Sequence, residues 1–180
     1  MSDEKNITLV MNLRSEPFGD DPEYATGFYE AIGRITVTWG RAESSLDILL
    51  LIAMDIAAKH GIRESLPVGI ERKLTLLKHL YRDCPALIPL KENVYSLARA
   101  ISATHQNRSA LSHTFFQGFV EGNPPAMQFY TLQHKQGKLD EGTYRFTLKR
   151  LNRVIRMIDH IHTRIIGLIL DRVPLGVSTS

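Results

Sequence analysis

Between Phe28 and Ile56 the apolar positions Phe28, Ile32, Ile35, Trp39, Ala42, Leu46, Leu49, Ala53 and Ile56 follow one another at alternating spacings of four and three. That period predicts one long amphipathic helix with a coiled-coil-like seam. Its start is signalled by "DDPE", with Asp21 as N-cap, Pro22 at the first helical position and Glu23 on the positive end of the dipole. Its end is signalled by "KHG", where Lys59 and His60 suit the negative terminus and Gly61 a left-handed cap. Gly33 and Gly40 cost about 1 kcal/mol each relative to alanine, which points to a close helix approach or a bend.

A second helix is predicted from Val68 to Arg82, with Ile70, Leu74, Leu77 and Tyr81 on one face and "CPALIP" as its breaker. A third begins near Pro89, and its seam runs Val94, Leu97, Ile101, Thr104, Arg108, Leu111 and Phe115. After His113 the texture changes. "TFFQGFV" and "AMQFYTLQH" flank the turn "EGNPP" and predict a β-hairpin. "KQGKLDEG" reads as a polar loop leading to a short extended piece at Tyr144 to Phe146. The last helix starts at a Thr147 cap, with Leu148, Leu151, Ile155, Ile158, His162, Ile165 and Ile169 as its seam. The fold class is therefore all-α: a bundle of about four helices with a β-hairpin inserted before the last helix. One domain, residues 22–172, is expected between an N-terminal extension, 1–21, and a disordered tail, 173–180. The wide apolar faces of the first and last helices predict a homodimer along one of them.

With 180 residues, 43% hydrophobic and 23% charged, the chain is long enough for one well-covered core. "ILLLIAM" stops at Asp55 and "IIGLIL" at Asp171, short of the roughly 18–20 apolar residues that cross a bilayer. The acidic start lacks the layout of a signal peptide. A cytoplasmic protein with no membrane segment is expected. A single cysteine, Cys84, supports neither an internal disulfide nor a multi-thiolate metal site. The net charge is only +3, but it is unevenly placed: residues 145–164 carry Arg145, Lys149, Arg150, Arg153, Arg156 and Arg164 against Asp159 alone. Such a segment could meet a phosphate backbone, but a solvated helix face is the first reading.

Arg108 interrupts the third seam. A guanidinium, with a pKa above about 12, cannot neutralise itself, so its burial demands a carboxylate, several carbonyls or an anionic ligand. Glu43, beside the first seam and four residues after Trp39, is one candidate, and an Arg108–Glu43 pair would fix helix register. The other reading starts from density: His105, Asn107, Arg108, Ser109, Ser112 and His113 gather polar and titratable groups within nine residues.

"NRSALSH", Asn107 to His113, places a polar residue directly after an arginine and a histidine four intervening residues beyond it. Lying at the end of a third helix, it resembles the motif of the HEPN superfamily of all-α domains, many of them metal-independent ribonucleases of toxin–antitoxin and other defence systems. "ITVTWGRAESSLDILLL", with Trp39 and Glu43 one turn apart, is similar to the opening helix of HEPN-like bacterial proteins. The resemblance implies an RNA or nucleotide ligand, no metal or other cofactor, an antitoxin protein as a possible partner, and a 2′,3′-cyclic phosphate product. Metal-free phosphodiester cleavage needs a group that moves the 2′-hydroxyl proton and a cation that stabilises charge on the phosphate. His113 takes the first role and Arg108 the second. Asn107 and Ser109 would orient the phosphate or the histidine, and His105 is a second acid/base group. No phosphate loop, H-E-x-x-H or E-x-x-H pattern competes.

Five helical residues are about 140° and about 7.5 Å apart, so Arg108 and His113 do not share a helix face. Either the helix ends before His113, or two protomers contribute to one cleft, as the resemblance favours. The alternative is a non-catalytic helical domain that binds a nucleotide or a partner protein.

Overall fold

The computed structural model describes residues 21–112, 114–135 and 138–171. The anticipated extension up to residue 20 and the tail 173–180 lie outside the described residues, as does His113.

Helix α1, Ala25–Ala58, buries Phe28, Ile35, Trp39, Ala42, Leu46, Leu49 and Ala53 of the anticipated seam, while Ile32 and Ile56 are half-buried. It starts three residues later than the capping signal implies. The Pro22 carbonyl accepts from Ala25 N–H at 2.8 Å, and the Asp21 carboxylate accepts from the Tyr29 hydroxyl at 3.0 Å instead of capping the helix. The other end follows the sequence. Gly61, at φ +81°, is the left-handed residue of a Schellman cap in which Ile62 N–H bonds Ala57 O at 3.0 Å and Gly61 N–H bonds Ala58 O at 3.1 Å. Gly33 and Gly40 have nothing within 4 Å of a Cβ built on them, so no other part of the described chain approaches there.

Helix α2, Ile70–Asp83, buries Ile70, Leu74, Leu77 and Tyr81 as its spacing predicts, and also Lys73. A 3₁₀ turn, Ile88–Leu90, leads into α3, Lys91–Ser112, which buries Val94, Leu97, Ala98, Ile101 and Thr104. The anticipated hairpin is a three-stranded antiparallel meander: β1 Phe115–Val120, β2 Ala126–Lys135 and β3 Lys138–Thr147, in the order β1-β2-β3. Most of the polar loop "KQGKLDEG" is thus strand. Pairing runs unbroken from Ala126 opposite Thr147 to Lys135 opposite Lys138. A ladder of backbone hydrogen bonds is indifferent to side-chain polarity, so composition hid the strand. The architecture is mostly helical, with this small sheet preceding the last helix.

The sheet's inner face carries Met127, Phe129 and Phe146, all buried. A bulge in β1 between Phe116 and Gly118, where Gly118 takes φ +126°, turns both Phe116 and Phe119 inward although they are three residues apart. Phe119 then packs edge-on against Tyr24, Phe28 and Tyr29 of the α1 end, with centroids 5.6–5.9 Å apart. Helix α4, Leu148–Leu170, follows β3 without a loop and packs mainly on α1, burying Leu151, Val154, Ile155, Ile158, Ile161, Ile165 and Leu168. Thr147 caps it as anticipated, its side-chain oxygen accepting from Arg150 N–H at 3.2 Å.

Thr147→Ala removes that acceptor at the joint between sheet and helix. Urea denaturation is expected to show a loss of about 1 kcal/mol, with Thr147→Ser close to wild type.

Candidate functional site

The core stripe of α3 stops at Thr104, which is fully buried. From His105 to Leu111 every residue except the exposed Gln106 is half-buried, and Phe115 is 59% exposed. Arg108 is therefore not a core residue. It sits where α3 emerges at the rim of the bundle, and among the described residues it makes no ion pair. Much of the polar density noted in the sequence is satisfied locally. Thr104 Oγ1 donates to Ala100 O at 2.8 Å, Asn107 Nδ2 to Ala103 O at 3.2 Å and Ser112 Oγ to Arg108 O at 3.0 Å. Thr114 Oγ1 donates to Ala110 O. Side chains that bond back one turn compete with the backbone ladder. They cluster in the last turns of α3, which the structure describes up to Ser112.

One side chain ties this rim to the rest of the molecule. Arg150, in the first turn of α4, donates from Nη2 to Asn107 Oδ1 at 3.3 Å and from Nη1 to Arg145 O at 3.1 Å. Its guanidinium carbon lies 4.5 Å from the centroid of the Phe146 ring, a cation–π contact. On β3, Arg145 Nε donates to Gln128 Oε1 at 2.9 Å, and Gln128 Nε2 donates to Gln117 Oε1 at 3.0 Å. Lys149, Arg153 and Arg156 are exposed along the same end of α4. Residues 142–158 hold five cations and no acid. Cations in the first turns of a helix oppose its dipole, so this end of α4 concentrates positive potential at a surface beside Asn107.

The anticipated partners of Arg108 are placed differently. Glu43 lies on α1, where its Oε1 accepts from Lys73 Nζ at 3.3 Å, so the Arg108–Glu43 pair is corrected to Lys73–Glu43. Asp47, one turn on, shares that ammonium, with Nζ–O distances of 2.7 and 2.9 Å. Lys73 is 7% exposed. Burial alone lowers its pKa, but the hydrogen bonds and charges of Asp47 and Glu43 outweigh burial and hold it above the ordinary lysine value. Glu43 thus anchors α2 to α1, at a place separate from the rim. His105 is half-buried and stacked on Trp39, with centroids 5.5 Å apart and planes 28° apart.

The structure therefore brings together Asn107 and Arg150, keeps Arg108 and Ser109 half-buried on the same end of α3, and positions His105 against α1. Sequence reasoning counted Arg145 and Arg150 only within a basic segment. The signal available was their place at the start of a helix, where cations are disfavoured. Lys73 was missed as well, although it stands between Ile70 and Leu77 on a core-facing turn. Among the described residues no three His, Cys, Asp or Glu side chains gather to hold a metal, and no helix is long and apolar enough to cross a membrane. No family model, curated protein or solved structure matches the chain.

Replacing Lys73 by methionine strands two carboxylates one turn apart. Because both are about one-third exposed, the expected cost is about 1–3 kcal/mol, below that of a fully buried pair. Lys73 has a raised folded pKa, so its contribution is full below the unfolded value and fades as pH rises through the folded one. The stability difference between wild type and Lys73→Met, followed by urea titration, is expected to hold steady up to about pH 10 and to shrink above it.

Proposed function

We propose that this chain is a HEPN-like, metal-independent ribonuclease, a component of a defence or toxin–antitoxin system, acting as a homodimer. The observation that carries the reading is the position of "NRSALSH": on the emergent end of α3, with Asn107 held by Arg150 and the cationic start of α4 beside it. A phosphate needs fixed positive charge and accessible donors, and an arginine sealed in a core offers neither. In this mechanism Arg108 and Arg150 take the phosphate. His113 accepts the 2′-hydroxyl proton as the 2′-oxygen attacks phosphorus, and the 5′-oxygen leaves with a proton. The products are a 2′,3′-cyclic phosphate and a 5′-hydroxyl. His105, held flat on Trp39, is the second acid/base group, while Asn107 and Ser109 orient the phosphate. An antitoxin would act by covering this cationic rim. The non-catalytic alternative loses the ion pair it rested on, since Glu43 is engaged by Lys73.

The homodimer reading finds its support on α1. Gly33, Val37, Gly40, Ser44, Ile48 and Leu51 form an outward stripe, and Val37, Ile48 and Leu51 are each at least half exposed. Centred on Ser44, an antiparallel copy would set Gly40 against Ile48 and Val37 against Leu51, small against large. Ile48 is nine residues from Trp39, hence about 180° around the helix. A dimer through this stripe would put Trp39, and the His105 stacked on it, on the side of α1 away from the partner. A joint cleft requires pairing through the α3 rim.

Cleavage of a labelled RNA pool with chelator present is the test. Wild type is expected to cut, and folded Arg108→Ala and His113→Ala each to lose at least about 100-fold. An inert wild type at micromolar concentration, without and with a co-expressed neighbour, sinks the ribonuclease reading.

Ile48→Glu is expected to give a monomer by light scattering. Cleavage retained by that monomer locates the site within one protomer, and cleavage lost with the dimer locates it in a joint cleft.

A further inference from the structure

Helix α4 is charged against its own dipole. Its first turn holds no acid and its last turn no base, while Lys149 and Arg150 open it and Asp171 closes it. Lys149, Arg153 and Arg156 follow one another at spacings of four and three, so they share one stripe of the helix, and all three are exposed. Like charges at that spacing destabilise a helix, and cations at its positive end add to the cost. The neighbouring helix increases it. A Cβ on Gly27 would lie 3.6 Å from Leu148 Cδ2, and Trp39 and Leu46 meet Ile161 and Ile165 around one small cavity, so α1 and α4 run parallel and begin at the same end. Their dipoles therefore reinforce each other there.

Among the described residues no ion pair relieves this arrangement. Asp159, the first acid of α4, pairs with none of the three cations, and neither does any acid of α1. Packing does not call for the charges either, because α4 covers the core with Leu151, Val154, Ile155 and Ile158 on its opposite face. The stripe adjoins the candidate site along the helix itself: Arg153 is three residues from Arg150, and Arg150 bonds Asn107 at 3.3 Å. Cations that oppose stability and face water suit a polyanion, since each phosphate they neutralise releases condensed counterions. From Lys149 to Arg156 the axial rise is about 10 Å. At roughly 3.4 Å per nucleotide of a stacked strand, that is the length of about three nucleotides. A bilayer surface is a poorer match, because a helix lying in it turns an apolar face to lipid, and the apolar face of α4 is buried.

We propose that the outward stripe of α4, formed by Lys149, Arg153 and Arg156, binds the sugar-phosphate backbone of an RNA strand as the strand leaves the α3 rim. The proposal rests on the ribonuclease reading and deepens it by giving the substrate class. That class is a polynucleotide, held through about three phosphates beyond the cleaved one and without regard to base, rather than a dinucleotide or a free nucleotide. Arg150 stays at the joint with Asn107, and the stripe supplies affinity along the strand.

The experiment is fluorescence anisotropy with a fluorescein-labelled decauridylate over a series of salt concentrations. His113→Ala protein is the parent, so that the probe is not consumed. A stripe variant adds Lys149→Gln, Arg153→Gln and Arg156→Gln. A control adds Lys78→Gln, Arg72→Gln and Arg99→Gln, which removes the same charge from exposed positions on α2 and α3. The stripe variant is expected to lower the slope of log Kd against log salt by about 2, or about 0.7 per residue, and to weaken binding roughly 100-fold at about 0.1 M salt. The control is expected to bind as the parent does. In urea the stripe variant is expected to unfold at a higher midpoint than the parent, because the repulsion is gone, whereas cations with a structural role would lower it. A lower midpoint, equal losses in the two triple variants, no binding by the parent, or equally tight capture by phosphatidylserine vesicles overturns the proposal. Cleavage by otherwise wild-type protein is read independently. If decauridylate is cut with a kcat/KM that the stripe substitutions leave unchanged, the stripe is lost and the nuclease stands. If RNA binds along the stripe and is never cut, the nuclease is lost and the stripe stands.

Discussion

An arginine cannot shed its charge, so a helix that carries one in line with its core stripe has to leave the core at that point or bring an anion with it. In α3 the first solution is taken. The stripe Val94, Leu97, Ile101 and Thr104 is buried, and one turn later Arg108 is at the rim. The geometry of the whole N-terminal end of α4 follows from this exit. Beyond α3 the backbone must be satisfied some other way, and the meander beginning at Phe115 does so by pairing strand with strand. The meander must then cover apolar surface on one side only. Its inner face closes on Phe28 and the end of α1, and on its outer face Phe115, Thr143 and Arg145 are exposed.

Charge is sorted by the same logic. Lys73 is the one buried cation among the described residues, and it is held by two carboxylates spaced one helical turn apart on α1. Glu43 is thus engaged on α1, while Arg108 at the end of α3 makes no ion pair among the described residues. The cations between Arg145 and Arg156 pair with no acid among the described residues: Arg145 bonds an amide, Arg150 a carbonyl, an amide and an aromatic face, and Lys149, Arg153 and Arg156 are exposed. A positive end of a helix loaded with positive side chains is self-repulsive. It is tolerable because those side chains are exposed, and it is useful wherever an anion is to be bound.

What could be read from sequence was what has a period or a local cap. The four-and-three spacing gave α1 to within a few residues, Gly61 its end and Thr147 the start of α4, because each depends only on neighbours within a turn. Asp21 misled for the complementary reason: a carboxylate with a tyrosine hydroxyl in reach, eight residues away, has a competitor to the helix amide. The Tyr144 to Phe146 end of β3 was legible as an extended piece, but its first half was hidden because its evidence is β2, and "KQGKLDEG" has no period of its own. Phe115 was read into the α3 seam because its spacing continues that of α3; only the register of β1 shows that it belongs to a strand. Lys73 and Glu43 needed the packing of α2 on α1, a distance of 30 positions along the chain.

Arg150 shows why the candidate site could not be assembled from motif residues alone. It was visible as one basic residue among several. In the fold it is the joint: one guanidinium covers the edge of the core at Phe146, fixes Asn107 from above, and holds the end of β3 through the Arg145 carbonyl. A planar cation with donors pointing in two directions can do this, whereas an ammonium on a flexible stem cannot stack and bridge at once. The α3 rim, the edge of the core at Phe146 and the end of β3 are thus tied together by a single side chain. Any ligand that engages Asn107 is measured against the position Arg150 gives it.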